Sequence, residues 1–388
     1  MKIAMIGQKG IPAYYGGIER HVDELSTRLA TKNHEVVVYC RSWFTGETDS
    51  YRGVRVIVTP TIRAKHLDAI VHTFTSTIHA LREGFDVYHY HGVGPSLLAF
   101  LPRIFRPRAK TVVTFHCLDR IHAKWGLFAR LMLRLGEWTA CRFAHETITV
   151  SRTLAQYCKD VYDSNTHYIP NGVSTPISAD NNLISSFGFE PNKYIAFVAR
   201  LVPHKGAHVL IEAWQELSRR SPELMNGYKL AIIGDSVFTN PYVLALKEMS
   251  KNDETIVFTG FQNGAMLDGL FSNALFMVHP TFTEGHPISV LEAMSYGKVV
   301  LASDIPADLE AIGEYGVSFK TGDVEDLIIK MRALLETKEE LSKLGDEARK
   351  FVLKNFHWDD IADKVEKLYM EGLKKNKVGM ISFKRVNN

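Results

Sequence analysis

Glu284 and Glu292 stand eight positions apart in the segment Thr281–Val300, TFTEGHPISVLEAMSYGKVV. The first lies on a loop containing glycine and proline, the second inside a helical pattern. A strand-like run, Leu275–His279, comes immediately before them. Strand, polar loop and helix in that order bring side chains and unpaired helix-terminal N–H groups to the carboxyl edge of a parallel sheet. Two acids placed there suit a ligand rich in hydroxyls: a sugar, a nucleotide, or both.

Two cations sit in a comparable place. The segment Val198–Gly206, VARLVPHKG, follows another strand and carries Arg200 and Lys205. Arginine supplies a planar fork and lysine a point charge, so the pair could clamp a diphosphate from two directions. It would then neutralise charge developing on that group as it departs. A solvated face is the plain alternative. Gly16 and Gly17 occupy the turn between the first strand and a helix, where glycine tolerates unusual dihedrals and lets a ligand approach the backbone. The string GQKGIPAYYGG is not the GxGxxG fingerprint and argues against a dinucleotide fold. A phosphate- or sugar-facing loop and a simple turn both fit it. GDSVF at 234–238, opening on Gly234, and Phe261 also follow strands and could meet a nucleotide.

His116 directly follows the strand-like TVVTF, and Tyr88–His91 ends another strand. His89 and His91 have the H-x-H spacing of a metal pair, and strand alternation points both the same way. The sequence does not supply the remaining ligands, so no metal is expected and hydrogen bonding or packing is the reading. Ser151 and Asn171–Gly172 close the first half in the same strand-end manner. No Ser-His-Asp or Cys-His order is persuasive for a hydrolase.

These residues require a scaffold that repeats strand and helix. Strands are predicted at Lys2–Gly7, Glu35–Tyr39, Val54–Thr59, Val87–His91, Thr111–Phe115 and Thr147–Val150. Helical patterns cover Gly17–Thr31, Leu67–Arg82 and Leu127–Ala144. After the turn-rich YIPNGVSTP at 168–176 a second series begins: Ile195–Ala199, Tyr228–Ile233, Ile256–Thr259, Leu275–His279 and Val299–Ser303. Helices such as His208–Ser218 and Val290–Ser295 alternate with them. Near-continuous apolar strands in βα repetition predict parallel sheets covered on both faces. The expectation is an α/β chain of two doubly wound, Rossmann-like domains facing across a cleft. Residues 1–170 form the first and 171–357 the second, with a helix at about 358–374 packing back on the first.

The 388 residues are too many for one ordinary core, and 46% hydrophobic with 23% charged residues describes a globular protein. The opening MKIAMIGQKG runs straight into a strand, without a signal-peptide h-region. No apolar run approaches the roughly 20 residues that span a bilayer. Cys40, Cys117, Cys141 and Cys158 lack zinc or redox spacing, which suits reduced thiols and a cytoplasmic location. The net charge of +3 hides an asymmetry. Residues 1–170 hold 22 Lys+Arg against 14 Asp+Glu, while 171–388 hold 24 against 29. A basic first domain could meet an anionic membrane or a phosphate-bearing acceptor. The segment Leu127–Phe143, LFARLMLRLGEWTACRF, reads either as a surface helix at lipid headgroups or as a core helix with arginines snorkelling at its edge.

Read together, GGIERHVDELSTRLATKNHEVVVY, FHCLDR, ITVS, YIPNGV, VARLVPHKG, IIGD and EGHPISVLEAMSYGKVVLAS make the chain resemble a family 4 retaining glycosyltransferase of GT-B fold over essentially its whole length. The last segment resembles that family's E-x7-E motif. GQKGIPAYYGGIERHV is further similar to a rhamnosyltransferase-like subgroup of bacterial surface-polysaccharide assembly. The resemblance implies His116, Arg200, Lys205 and Glu284 as the catalytic group, with Glu284 at the donor sugar and the two cations on its diphosphate. Donor contacts would come from Gly16, Gly17, Asn171, Gly234, Phe261, Pro287, Ile288, Ser289 and Glu292, with Glu292 on the ribose. No cofactor or metal is implied beyond the nucleotide diphospho-sugar itself, whose base (UDP, GDP or dTDP) stays open. The acceptor would be a saccharide or a polyprenyl-diphosphate-linked one at the inner face of the cell membrane, and no nucleic acid is expected. The family's usual EGFG or EGFP reads EGHP here, which places His286 beside the donor sugar. A nucleotide-sugar epimerase of the same architecture and a non-catalytic sugar-nucleotide binder are the alternatives.

Overall fold

Runs such as Val36–Val38 and Leu230–Ile233 bury every side chain, because each strand they form has helices on both sides. The computed structural model describes residues 1–62, 67–121, 126–176, 182–236 and 240–384. Val237 and Phe238 of the GDSVF segment lie outside them. Two compact units emerge: Met1–Asn171 with Trp358–Asn388, and Gly172–His357.

The first unit holds β1 (Lys2–Ile6), β2 (Glu35–Cys40), β3 (Ser50–Tyr51), β4 (Val54–Val58), β5 (Val87–His91), β6 (Lys110–Phe115), β7 (Glu146–Thr149) and β8 (His167–Tyr168). They lie in the order β3-β4-β2-β1-β5-β6-β7-β8. All pairs are parallel except the short β3–β4 edge. One face packs Ala4, Ile6, Val37, Tyr39, Tyr88 and Val113 into a single apolar cluster.

Helix Trp358–Lys384 belongs to this unit and runs ten residues past the end at about 374 read from the sequence. It lies along helix Gly17–Thr31. Arg28 Nε bonds Asp359 at 2.6 Å, Lys32 pairs with Asp363 and Glu366, and His34 Nε2 meets Glu366 at 2.7 Å. Tyr369, fully buried, places its hydroxyl 2.6 Å from His89 Nδ1.

Helix Leu127–Phe143 is arranged against the usual rule. Its buried residues are Gly136, Glu137, Thr139 and Ala140, while Leu127, Phe128 and Leu131 are 86%, 75% and 60% exposed. Glu137 accounts for the inversion: its carboxylate accepts from Tyr157 and Tyr162 hydroxyls at 2.7 Å each and pairs with Arg120 at 3.0 Å. Gly136 is the closest approach, since a Cβ there would lie 2.0 Å from the Val93 carbonyl oxygen. Ala140 joins this unit's apolar cluster with Leu133 and Cys141 packed against it, so each reading of the segment holds in part. The row of Leu127, Phe128, Leu131 and Leu135 faces outward.

The second unit holds β9 (Tyr194–Val198), β10 (Lys229–Ile233), β11 (Ile256–Gly260), β12 (Phe276–His279), β13 (Val300–Ser303) and β14 (Val317–Phe319), all parallel, in the order β11-β10-β9-β12-β13-β14. Alternate residues go to opposite faces, as the strand period requires. Ile195, Phe197, Leu230, Ile232, Phe276 and Val278 pack with Trp214 of helix Ala207–Arg220 and Met331 of helix Val324–Glu336. On the other face Met277, Val300 and Ala302 meet Val290, Leu291 and Met294 of helix Ile288–Ser295. Full burial of each such large side chain contributes roughly 1.5–3 kcal/mol. That double covering anchors the strand ends from which the site loops depart. No helix among the described residues is long and apolar enough to cross a membrane.

Candidate functional site

In the second unit β9 has β10 on one side and β12 on the other, so connections leave in opposite directions there. A crevice opens at the carboxyl ends of such neighbouring strands. The loop after β9 carries Arg200 and Lys205, and the loop after β12 carries Glu284. Gly206 (φ +72°) lets the two loops touch, because a Cβ would lie 1.8 Å from the Pro280 carbonyl oxygen. The Phe282 N–H and the Thr281 hydroxyl both donate to the His204 carbonyl, at 2.8 and 3.0 Å. This stitching brings Lys205 Nζ directly onto Glu284 as an ion pair.

Two further residues, which sequence reasoning missed, back that pair. His279, the last residue of β12 and almost wholly buried, sets Nε2 3.3 Å from Glu284 Oε1. Asp308, with no exposed surface, places Oδ1 3.9 Å from the same nitrogen, and neither of its carboxyl oxygens has a hydrogen-bond partner among the described residues. Burial raises the Glu284 carboxyl, but the Lys205 ammonium and His279 outweigh it and hold the group well below its ordinary range. Burial, reinforced by Glu284, pushes Asp308 well above its own. Burial lowers His279, with Glu284 opposing. Strand alternation could have flagged His279. Nothing in DIPADLEAI distinguishes Asp308 from an ordinary first-turn acid of helix Pro306–Ile312.

Helix Ile288–Ser295 begins just past this group, with Pro287 extended at its N-cap. Pro287 and Ile288 are buried, Ser289 is half-buried, and their position is the end of a helix that leaves N–H groups for an anion. Glu292 sits one turn further, half-buried. His286 is buried 5.2 Å from the Phe356 ring, and burial lowers its imidazole to about 4 against the pull of Glu284, so it is neutral at pH 7. Arg200 is exposed and makes no ion pair with a described residue. Gly234 (φ +142°) is packed onto the next loop, since a Cβ would lie 1.9 Å from the Ala199 carbonyl oxygen. Phe261 follows β11 with its ring substantially exposed.

The first unit has the corresponding reversal between β1 and β5. Gly16 caps helix Gly17–Thr31 at φ +102°, with the space of its Cβ taken by the Glu19 carboxylate. That carboxylate accepts from the Lys9 N–H at 3.1 Å and pairs with Lys9 Nζ at 3.2 Å. At Gly17 a Cβ would meet nothing within 4 Å, so the backbone there is approachable. His116 follows β6 and is nearly buried, in a group with His21 and His91. Asn171 Oδ1 accepts from His21 Nδ1 at 2.9 Å, tying the end of this unit's first segment to helix Gly17–Thr31. Ser151 caps helix Arg152–Tyr162 by accepting from the Leu154 N–H at 3.3 Å, a structural duty.

Among known proteins, two family descriptions match adjoining stretches of the chain. Glycosyltransferase Family 4 matches residues 15–176, and Glycosyl transferases group 1 matches residues 180–351. An uncharacterized glycosyltransferase of Methanocaldococcus jannaschii is 25% identical over 95% of this chain and 98% of its own. The solved sucrose-phosphate synthase of Thermosynechococcus elongatus superposes with a TM-score of 0.81 at 19% identity, covering 95% of this chain and 98% of that one. HepE of Anabaena, solved in complex with UDP and glucose, gives 0.77 at 18% identity over 96% of this chain and 100% of its own. At such identities the solved structures speak for the fold.

Proposed function

We propose that this chain, a glycosyltransferase of the GT-B type, moves a hexosyl group from a nucleotide diphospho-sugar to a saccharide acceptor with retention of configuration. The observation that carries the reading is the Lys205–Glu284–His279 group where the β9 and β12 loops meet. A partly exposed carboxylate kept ionised beside a cation is ready-made for a ligand that is anionic on one side and rich in hydroxyls on the other. Lys205 and Arg200 would hold the diphosphate, and Glu284 would accept hydrogen bonds from the sugar. The N–H groups at Ile288 and Ser289, together with Pro287, would line the phosphate or sugar. Glu292 would take the ribose hydroxyls, with Gly234 and Phe261 toward the nucleotide. In the first unit Gly16 and Gly17 would admit the diphosphate to the backbone. His116 and Asn171 would be that unit's own polar groups for the donor, with His116 a neutral hydrogen-bonding group toward the sugar. The solved HepE with UDP and glucose supports a donor of this class.

In the reaction the bond between the anomeric carbon and the diphosphate oxygen breaks, and the acceptor oxygen bonds to that carbon on the same face. The acceptor proton passes to the departing phosphate. Arg200 and Lys205 neutralise the charge that builds there, the place a metal ion would otherwise fill. Retention through a covalent intermediate would need a nucleophile and an acid/base partner flanking the bond. Glu292, assigned to ribose, leaves no such pair.

A role in surface-polysaccharide assembly, as in the rhamnosyltransferase-like subgroup, fits one more feature. Besides the exposed row on helix Leu127–Phe143, Ile104 and Phe105 of the neighbouring helix Phe100–Phe105 are 63% and 64% exposed. Arg130, Arg134 and Arg142 are exposed on the same helix as the row. Apolar side chains interleaved with arginine on the basic unit suit the headgroup region of an anionic membrane, where a polyprenyl-diphosphate-linked acceptor would be met.

The test is incubation of the purified protein with UDP-, GDP- and dTDP-sugars, with and without acceptor, following nucleotide release and the anomeric configuration of the product. Acceptor-dependent release with a retained anomer is expected. Interconversion of the donor without acceptor would make the protein an epimerase.

A further inference from the structure

His21 on helix Gly17–Thr31, His91 at the end of β5 and His116 just past β6 bring ring nitrogens within 4.8 Å of one another, and all three residues are buried. His91 Nδ1 and His116 Nε2 are 3.4 Å apart. That is about the separation of two ligands on a tetrahedral ion with metal–nitrogen bonds of roughly 2.0–2.1 Å. The surroundings also assign protons. Asn171 Oδ1 only accepts, so His21 Nδ1 at 2.9 Å carries the hydrogen and Nε2 keeps its lone pair. That Nε2 is buried with no hydrogen-bond partner among the described residues.

His91 Nε2 lies 3.3 Å from Met5 Sδ, a weak acceptor, which leaves the Nδ1 lone pair for the cluster. His116 has one N–H to share between two such lone pairs; with that proton on Nδ1, a cation takes all three lone pairs at once. Burial favours the neutral, ligating form of each ring, with His21 lowered to about 4. His89 stands apart. Its ring is 4.1 Å from that of His91, but its nitrogens are engaged by Tyr369 at 2.6 Å and Thr114 at 2.7 Å.

We propose that His21, His91 and His116 bind one transition-metal ion of the Zn2+ class, with water in the fourth position. Three imidazoles suit zinc, cobalt, nickel and copper and disfavour Mg2+ and Ca2+, which seek oxygen ligands. The Asn171 bond to His21 is the kind of outer contact that orients a ligating imidazole. An ion there would tie the amino-terminal helix to the ends of two central strands, and it does not depend on which sugar is transferred.

The experiment is a Co2+ titration of tag-free, metal-stripped full-length protein followed by visible absorption. One equivalent should bind with the intense bands of four-coordinate Co2+, be displaced by Zn2+, and be unaffected by Mg2+. His21→Ala should abolish those bands. Asn171→Ala should weaken binding roughly tenfold to a hundredfold. His167→Gln, which removes an exposed imidazole paired with Glu146, should leave binding unchanged. Paramagnetically shifted imidazole N–H resonances of the Co2+ protein count the coordinated rings without any substitution. Weak binding with an octahedral spectrum, fewer than three coordinated imidazoles, or unchanged bands in a folded His21→Ala variant would overturn the proposal. The proposal shares His116 and Asn171 with the donor reading, so the Co2+ spectrum and not turnover decides it: retained sugar transfer by a protein that binds no Co2+ would overturn the metal site alone.

Discussion

In the group Lys205, Glu284, His279 and Asp308, the cation keeps Glu284 ionised, and burial together with that charge raises Asp308. Removing the cation should be costly: Lys205→Ala, and separately Arg200→Ala, are expected to lower kcat by about 10²–10³-fold, the scale of losing one preorganised group at developing charge. Near-normal turnover by both variants would remove the diphosphate clamp. Asp308 makes a different prediction. Its carboxyl is raised in the folded chain by burial and by Glu284, so between the unfolded value of about 3.9 and its higher folded value the native state holds the extra proton. Stability contributed by this group therefore falls as pH rises through that window. Asp308→Asn keeps the shape without the titration. Its melting temperature should exceed that of the wild type at pH 8 and match it at pH 4, and identical pH profiles would contradict a protonated Asp308. His286, in the same segment, is a buried ring that its surroundings keep neutral at pH 7.

Among the elements, helix Leu127–Phe143 is the informative case, because Glu137 and its tyrosine partners set which side faces in. The apolar residues displaced outward carry little of the fold's stability. Leu131→Glu with Leu135→Glu should leave the melting temperature within a degree or two of wild type, as exposed substitutions usually do. The same variant should lose co-sedimentation with anionic liposomes. Equal sedimentation of variant and wild type, or none by the wild type, would argue against a peripheral location. Helix Ile288–Ser295 shows the opposite economy. It is short, buried against β12 and β13, and held with its amino end at the site by the packing of Val290, Leu291 and Met294.

For the whole molecule, the carboxyl-terminal helix completes the first unit, so the two ends of the chain share one core. Tyr369 is buried and its hydroxyl satisfies His89. Tyr369→Phe should cost about 1–3 kcal/mol, the price of leaving a buried polar partner unmet. The loss should appear as earlier exchange of β5 and β6 amides, with β9–β13 unaffected. Uniform destabilisation of both sheets would deny the division into units. Much was legible in the order of residues. The βα alternation, most strand positions and the placement of Arg200, Lys205, Glu284 and Glu292 after strands follow from periodicity and from glycine- and proline-marked loops. Those signals are local, and local chemistry produces them. What residues 127–143 bury, why the Asp308 carboxyl has no hydrogen-bond partner among the described residues, and how His21 comes to lie beside His91 and His116 depend on contacts between segments far apart in sequence. Only the tertiary structure decided these, because burial and pairing are properties of the space between elements. The glutamate at 284 is the plainest example: sequence set it on a loop after a strand, and the fold chose Lys205 and His279 to keep it charged.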